Sequence, residues 1–217
     1  MPRTKKRIKT LWFDLGNVIL DFDFTPAYKK LARHTPLDAA AIRKYFQTHP
    51  YLEAHLDEGK VNARTLYAQV CRDLRVKGLS FSRFSEMWSD IFSLNKSVAA
   101  LVRDLRKSGY RLILISNTNR LHYDYIVKRY PVVRHFHHAV LSYRVRTRKP
   151  KPEIYRHALR LSGGAKPAEI FYTDDRRDLT DAAGANHGVH AHTFRSARAL
   201  VAALKRLGVH PRKARAA

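Results

Sequence analysis

The chain has 217 residues, with 42 Lys and Arg against 18 Asp and Glu, a formal net charge of +24, and 45% hydrophobic residues. That size and apolar fraction allow one large domain or two modest ones with a sizeable core. The single cysteine, Cys71, excludes an intrachain disulfide scaffold, and no run approaches the ~18 apolar residues that span a bilayer.

The basic start, Arg3 to Lys9, is not followed by the apolar core and small-residue site of a cleaved leader. With one cysteine, the expectation is a cytoplasmic protein. The charge draws anions of any kind, from nucleic acid to phosphorylated metabolites. It is spread along the chain, densest internally from Arg144 to Lys151, and Arg212 to Arg215 read as a solvated tail.

Leu11 to Leu20 is an apolar run interrupted by Asp14 and Gly16. Near-continuous apolar character is the mark of a strand buried on both faces of a parallel sheet. Asp14 then stands at its carboxyl end, where ligands bind in open α/β sheets. Asp21 to Pro26 reads as a loop leading into a helix. From Tyr28 to Asn95 helical periodicity dominates, with no convincing buried strand. Start signals near Asp38, Asn62 and Ser80 give about four helices, and Asp57-Glu58-Gly59-Lys60 reads as a turn. Trp88, Phe92, Phe84, Leu66, Tyr67, Val70 and Leu74 read as packing residues of this block.

Ser97 to Ser108 is an amphipathic helix ended by Gly109, and Tyr110 to Ile115 is a second buried strand ending at Ser116-Asn117. A helix follows over Asp124 to Arg129, then a strand over Ala139 to Ser142. The Arg-rich loop ends at Lys149-Pro150, and Glu153 to Leu161 is a helix. Ile170 to Thr173 is a strand ending in Asp174-Asp175. A helix over Asp178 to Asn186, a weaker strand over Val189 to Phe194 and a helix over Ser196 to Leu207 complete the chain. Strand–helix alternation predicts an α/β, doubly wound parallel sheet. Residues 1–22 and 98–217 form its core, and residues 23–97 form an inserted all-helical cap above the strand ends.

Three strand ends therefore carry polar clusters: Asp14, Ser116-Asn117, and Asp174-Asp175 with Asp178. Gathered carboxylates repel one another, and a hard cation such as Mg²⁺ relieves this while bridging to a phosphate. Lys149 and the strand-end donors suit a phosphate, and a carboxylate held against phosphorus can form an aspartyl-phosphate. Read singly, Asp174-Asp175 are helix-capping acids, Ser116-Asn117 a turn and Lys149-Pro150 a loop dipeptide. Their order and strand-end placement point to a site. His135, His137 and His138 read as packing or solvated residues, and His122 is a further candidate for substrate contact.

These motifs, Phe13-Asp14-Leu15-Gly16-Asn17-Val18-Ile19, Ser116 to His122, Arg148-Lys149-Pro150 with Glu153-Ile154-Tyr155, and Thr173-Asp174-Asp175 with Asp178, resemble the haloacid dehalogenase superfamily. The branch they resemble has a helical cap after the first strand, and within it the α-D-glucose-1-phosphatase-type sugar phosphatases. The resemblance implies Asp14 as nucleophile and metal ligand, the Gly16 carbonyl and Asp175 as metal ligands, and Asp174 acting through water. It implies Ser116 and Asn117 as phosphate binders, Lys149 as the cation that neutralises nucleophile and phosphate, and Asp178 as the residue that steadies the acidic loop. The implied protein is a Mg²⁺-dependent phosphatase acting on a small phosphorylated metabolite such as a hexose 1-phosphate.

Gly16 departs from the pattern, because most such phosphatases carry there a second Asp as general acid and base. General acid–base help is worth ~10²–10⁴-fold. An anomeric phosphate leaves more readily and suffers less from the loss. Asp21 or Asp23 is a substitute acid or, as a bland alternative, a loop and capping residue. Gly16 equally fits a member that binds a phosphate ligand without turnover. The charge leaves a nucleic-acid-associated role as a further alternative, without a recognised reader motif. A dehalogenase proper is a third, with no halide cradle in evidence.

Overall fold

The computed structural model describes residues 8–211. The basic stretch Arg3 to Arg7 and the tail from Arg212 lie outside the described residues. The elements run β1 (Thr10–Phe13), β2 (Leu20–Phe22), α1 (Thr25–Leu31), α2 (Ala39–Thr48), α3 (Tyr51–Asp57), α4 (Ala63–Asp73), α5 (Phe81–Ser89) and β3 (Phe92–Leu94). They continue with α6 (Lys96–Lys107), β4 (Arg111–Ser116), α7 (Arg120–Arg129), β5 (His138–Leu141), the short α8 (Ser142–Val145), α9 (Pro152–Leu161), β6 (Ile170–Asp174), α10 (Arg177–His187), β7 (His190–Thr193) and α11 (Ala197–Arg206).

Five strands form one parallel sheet in the order β5-β4-β1-β6-β7, with β1 at the centre. Thr10 pairs with Arg111 on one side and Ile170 on the other, and Phe13 with Leu114 and Thr173. Side chains alternate between two apolar layers, as the strand repeat requires. Leu11, Phe13, Leu112, Leu114 and Phe171 pack with residues of α6, α7 and α11. Trp12, Ile113, Ile115 and Tyr172 pack with residues of α9 and α10. Burial on both faces explains the near-continuous apolar runs.

The helices between β2 and β3 build a separate apolar cluster around Leu31, Phe46, Val70, Phe84 and Trp88. Asp38, Asn62 and Ser80 cap α2, α4 and α5 by accepting from Ala41, Thr65 and Arg83 amides. Two expectations are corrected here. This region holds five α-helices, not four, because α2 stops at Thr48 and α3 starts after Pro50. An antiparallel two-stranded ribbon, β2 with β3, flanks it, where Asp21-Phe22 was expected in a loop; β3 is only partly buried, so no buried strand lies between Tyr28 and Asn95. Three residues per strand are too few to show a period of two. Further on, α7 starts at Arg120 rather than Asp124, with Asn119 as its cap.

The helical block is tied to the sheet domain at the turn after α3. Glu58, buried there, bonds Lys151 at 2.9 Å and Lys60 at 2.6 Å, and the two ammonium groups hold its carboxyl down at about 2. Gly59 next to it has φ +66°, and a Cβ there would meet the Tyr143 carbonyl oxygen at 2.5 Å. Only glycine allows both that conformation and that approach. No helix among the described residues is long and apolar enough to cross a membrane.

Candidate active site

Asp14, Ser116 and Asp174 end three adjacent strands, so the sheet order itself brings their side chains to one edge. The Asp14 amide donates to the Thr173 carbonyl at 2.9 Å, which continues the β1–β6 ladder to the acid. Lys149 comes from the loop before α9, is 2% exposed, and donates from Nζ to Asp14 Oδ1 and to Asp174 Oδ2, each at 2.6 Å. Asn117 fixes that loop. Its Oδ1 accepts from the Lys149 amide at 2.8 Å, and its Nδ2 donates to the Lys149 carbonyl at 3.0 Å.

The two acids on Lys149 are unequal. Burial acts against the Asp174 carboxylate, yet Lys149, the Tyr172 hydroxyl and the Arg176 amide all donate to it, and its pKa falls below the ordinary range. Asp14 has Lys149 as its side-chain donor, and burial, with the charge of Asp174, raises it to about 7. For Lys149, burial is outweighed by the two carboxylates, which hold it above the ordinary lysine value. Asp175 is raised by burial and by Asp174, while Asn17 Nδ2 donates to it at 3.0 Å. Asn17 makes that bond from a left-handed backbone, φ 52°, which asparagine tolerates.

One oxygen each of Asp14, Asp174 and Asp175 lies within 4.8 Å of the others. Three carboxylates against one ammonium leave negative charge in a small, largely buried volume. All the donors are hard oxygens, the chemistry that Mg²⁺ takes. The residues present therefore fit a divalent cation. Among the described residues no other His, Cys, Asp and Glu group gathers in this way. His137 accepts from the Leu112 amide and His138 meets Arg111, so the histidine run is used in packing.

Asp178 stands apart from this cluster. Its carboxylate forks with Arg176 at 3.1 and 2.6 Å on the surface, and the Arg176 amide holds Asp174. Asp23 Oδ1 accepts from the Thr25 amide at 2.8 Å just ahead of α1. Asp21 faces an outer groove with Asn17 and Asp175.

Two cavities meet at Gly16, Phe22 and Asn117. One, of about 170 Å³, holds Asp14, Lys149, Asp175, Arg148 and Arg176. The other, of about 120 Å³, lies under the helical block and is lined by Ser116, aromatic rings of Phe24, Trp88 and Phe92, and the acids Glu53 and Asp57. His122 lines it too, but both ring nitrogens are engaged. Nε2–H donates to the Trp88 carbonyl, and Nδ1 accepts from Asn119 Nδ2. Burial drops its pKa to about 4, so it is a neutral ring. Asn17, Arg148, Arg176, Asn119, Glu53 and Asp57 carried no assigned role in the sequence. Asn17, Asn119 and Arg148 stood inside quoted motifs, which was the available signal.

The haloacid dehalogenase-like hydrolase family profile matches residues 8–188. A HAD family enzyme from Bacteroides thetaiotaomicron superposes with TM-score 0.76 at 25% identity, over 88% of this chain and 95% of that one. The same enzyme with magnesium and inorganic phosphate gives 0.75 at 23% identity, over 87% and 94%. A predicted HAD-like hydrolase from Porphyromonas gingivalis gives 0.76 at 19%, over 94% and 98%. L-2-haloacid dehalogenase from Xanthobacter autotrophicus gives 0.61 at 17%, over 94% and 85%. With its family profile, its parallel sheet and its strand-end acids in agreement, the chain belongs to the haloacid dehalogenase-like hydrolases.

Proposed function

We propose that the chain is a Mg²⁺-dependent phosphomonoester hydrolase that works through an aspartyl-phosphate on Asp14, with a hexose 1-phosphate as the type of substrate. The observation that carries this is Lys149, which joins Asp14 and Asp174 in a cluster with charge left over for a divalent cation. Asp14, Asp175 and the Gly16 carbonyl would hold Mg²⁺, with Asp174 acting through water. Bound there, the metal supplies charge for the phosphate oxygens and favours the ionised form of Asp14. The Bacteroides enzyme's complex with magnesium and inorganic phosphate supports the pairing.

Asp14 Oδ attacks phosphorus in line, the bond from phosphorus to the leaving oxygen breaks, and that oxygen takes a proton from solvent water. Water then adds to phosphorus and releases inorganic phosphate and the Asp14 carboxylate. Lys149 and Arg148 face the transferring group with fixed positive charge, and Ser116 with the remaining Asn117 N–H supplies donors. We assign residues 23–97 to a cap that covers the leaving group and excludes bulk water, and residues 1–22 with 98–217 to the core. Two separate apolar clusters support that division.

The test is phosphate release from a panel of esters with Mg²⁺, comparing the wild type with Asp14→Asn. Release by the wild type alone is expected, and equal release from both overturns the mechanism. Glucose 1-phosphate and 6-phosphate run side by side, and faster turnover of the 6-phosphate removes the leaving-group argument. Gly16 favours a second reading, a phosphate-ligand binder without turnover. Saturable binding with no release across the panel would establish it, and a trapped acyl-phosphate at Asp14 would exclude it.

A further inference from the structure

The cavity of about 120 Å³ beneath the helical block is walled mostly by apolar and aromatic groups. Such cavities orient a ligand through a few polar groups. Here two of these are carboxylates, Glu53 and Asp57, one helical turn apart on α3. Asp57 Oδ1 accepts from Asn119 Nδ2 at 3.0 Å, which fixes the carboxyl against the start of α7. Its Oδ2 has no hydrogen-bond partner among the described residues, and Glu53 has neither a hydrogen bond nor an ion pair there. Burial and the charge of Asp57 push Glu53 up to about 7, and burial pushes Asp57 up to about 6.

Arg148 acts on both acids, but it lines the adjoining cavity with Asp14 and Lys149, not this one. The chain carries a net charge of +24, yet at this wall it presents only acidic charge. Ionised carboxylates are acceptors. A group seated against them must bring donors, and a second negative charge there meets like charge in a poorly hydrated space, which disfavours its binding.

Resting on the phosphatase reading, we propose that Glu53 and Asp57 determine leaving-group specificity. They admit a hydroxyl- or ammonium-bearing group and reject one that carries its own negative charge. The rings of Phe24, Trp88 and Phe92 give its carbon skeleton an apolar wall. The subsite thus sorts esters by charge while the Asp14 cavity handles the phosphate they share.

The test uses three matched esters with the same anomeric leaving oxygen: glucose 1-phosphate, glucosamine 1-phosphate and glucuronic acid 1-phosphate. Binding is measured by calorimetry with Mg²⁺ at pH 8, above the values of both carboxyls, on the full chain carrying Asp14→Asn, and turnover on the chain with Asp14 intact. Glucose and glucosamine 1-phosphate are expected to bind at least about tenfold more tightly than the glucuronic acid ester. Adding Glu53→Gln with Asp57→Asn should shrink that ratio toward one, and Glu53→Lys with Asp57→Asn should invert it.

Equal affinity for all three esters, or a ratio that survives both sets of substitutions, overturns the proposal. If the cap variants do not fold, equal affinity on Asp14→Asn alone still overturns it. Charge-selective binding with no release by the wild type would remove the phosphatase reading and keep the subsite. Release from other esters without binding of these three would do the reverse.

Discussion

The ring of Phe22 fills the space that a side chain at position 16 would take. A Cβ on Gly16 would stand 3.0 Å from Phe22 Cε1. The glycine is thus not demanded by a left-handed backbone; its place is a matter of packing between β1 and β2. Phe22 is 43% exposed and its ring has room to swing. Gly16→Asp should therefore fold, at a cost of about 1–2 kcal/mol for the displaced ring, and Phe22→Ala beside it should recover most of this. If a missing acid limits poor leaving groups, the ratio of hexose 6-phosphate to 1-phosphate turnover should rise by tenfold or more in the double variant, within the ~10²–10⁴ span of acid–base help. An unchanged ratio would show that the second carboxyl is not what this site lacks.

Lys149→Met tests the central ion cluster. Removing the ammonium leaves Asp14 and Asp174 buried against each other, and breaking a buried pair from one side costs ~3–5 kcal/mol. Without Lys149 both carboxyls rise in the fold. A raised carboxyl withdraws stability as pH climbs through its folded value. Denaturant unfolding should show a deficit near 3 kcal/mol at pH 8 that narrows at pH 5. Phosphate release should fall on the order of 10²–10³-fold, as when a preorganised donor is removed. A deficit that does not change with pH would mean that the loss is packing rather than charge.

What the sequence made legible is what strand geometry dictates locally. Asp14, Ser116 and Asp174 could be placed because each stands at the carboxyl end of a buried parallel strand, and parallel strands all end at one edge. Lys149 was placed by motif order. Glu53 and Asp57 were not legible, because their importance depends on how α3 docks over that edge, a contact made far from them in the chain. Asp57 read as a turn residue, and it does sit at the end of α3. Asn117 read as a phosphate donor, but most of its amide is spent on the Lys149 backbone. Arg148 was one basic residue among several in its loop, and composition does not reveal which of them faces inward.

Metal binding should appear in stability before any substrate is known. A ligand that binds only the native state adds RT ln(1 + [L]/Kd), about 2.7 kcal/mol at one hundred times Kd. Mg²⁺ titration should raise the unfolding temperature of the wild type by several degrees, and chelator should reverse it. Asp175→Asn removes one carboxylate of the cluster and should abolish most of that shift while leaving the metal-free fold intact, because Asp175 is bonded by Asn17 rather than Lys149. An undiminished shift in Asp175→Asn would place the metal elsewhere.

Glu53→Gln separates recognition from stability through pH. Burial, with Asp57, lifts the folded-state carboxyl of Glu53 from 4.5 to about 7. The native state therefore holds this proton more tightly than the unfolded chain does. Its contribution is fully present below about 4.5 and is lost as pH rises through 7. Above that, an ionised Glu53 opposes folding, and Gln at the same position removes the opposition. Discounted for the solvent that still reaches the side chain, the gain at pH 8 should be about 1–2 kcal/mol. That corresponds to a few degrees in unfolding temperature for a chain of this size, with little difference at pH 4. A more stable variant that has lost its charge discrimination among glycosyl phosphates is the signature of a residue kept for its ligand. A variant equally destabilised at both pH values would instead make Glu53 part of the cap's framework.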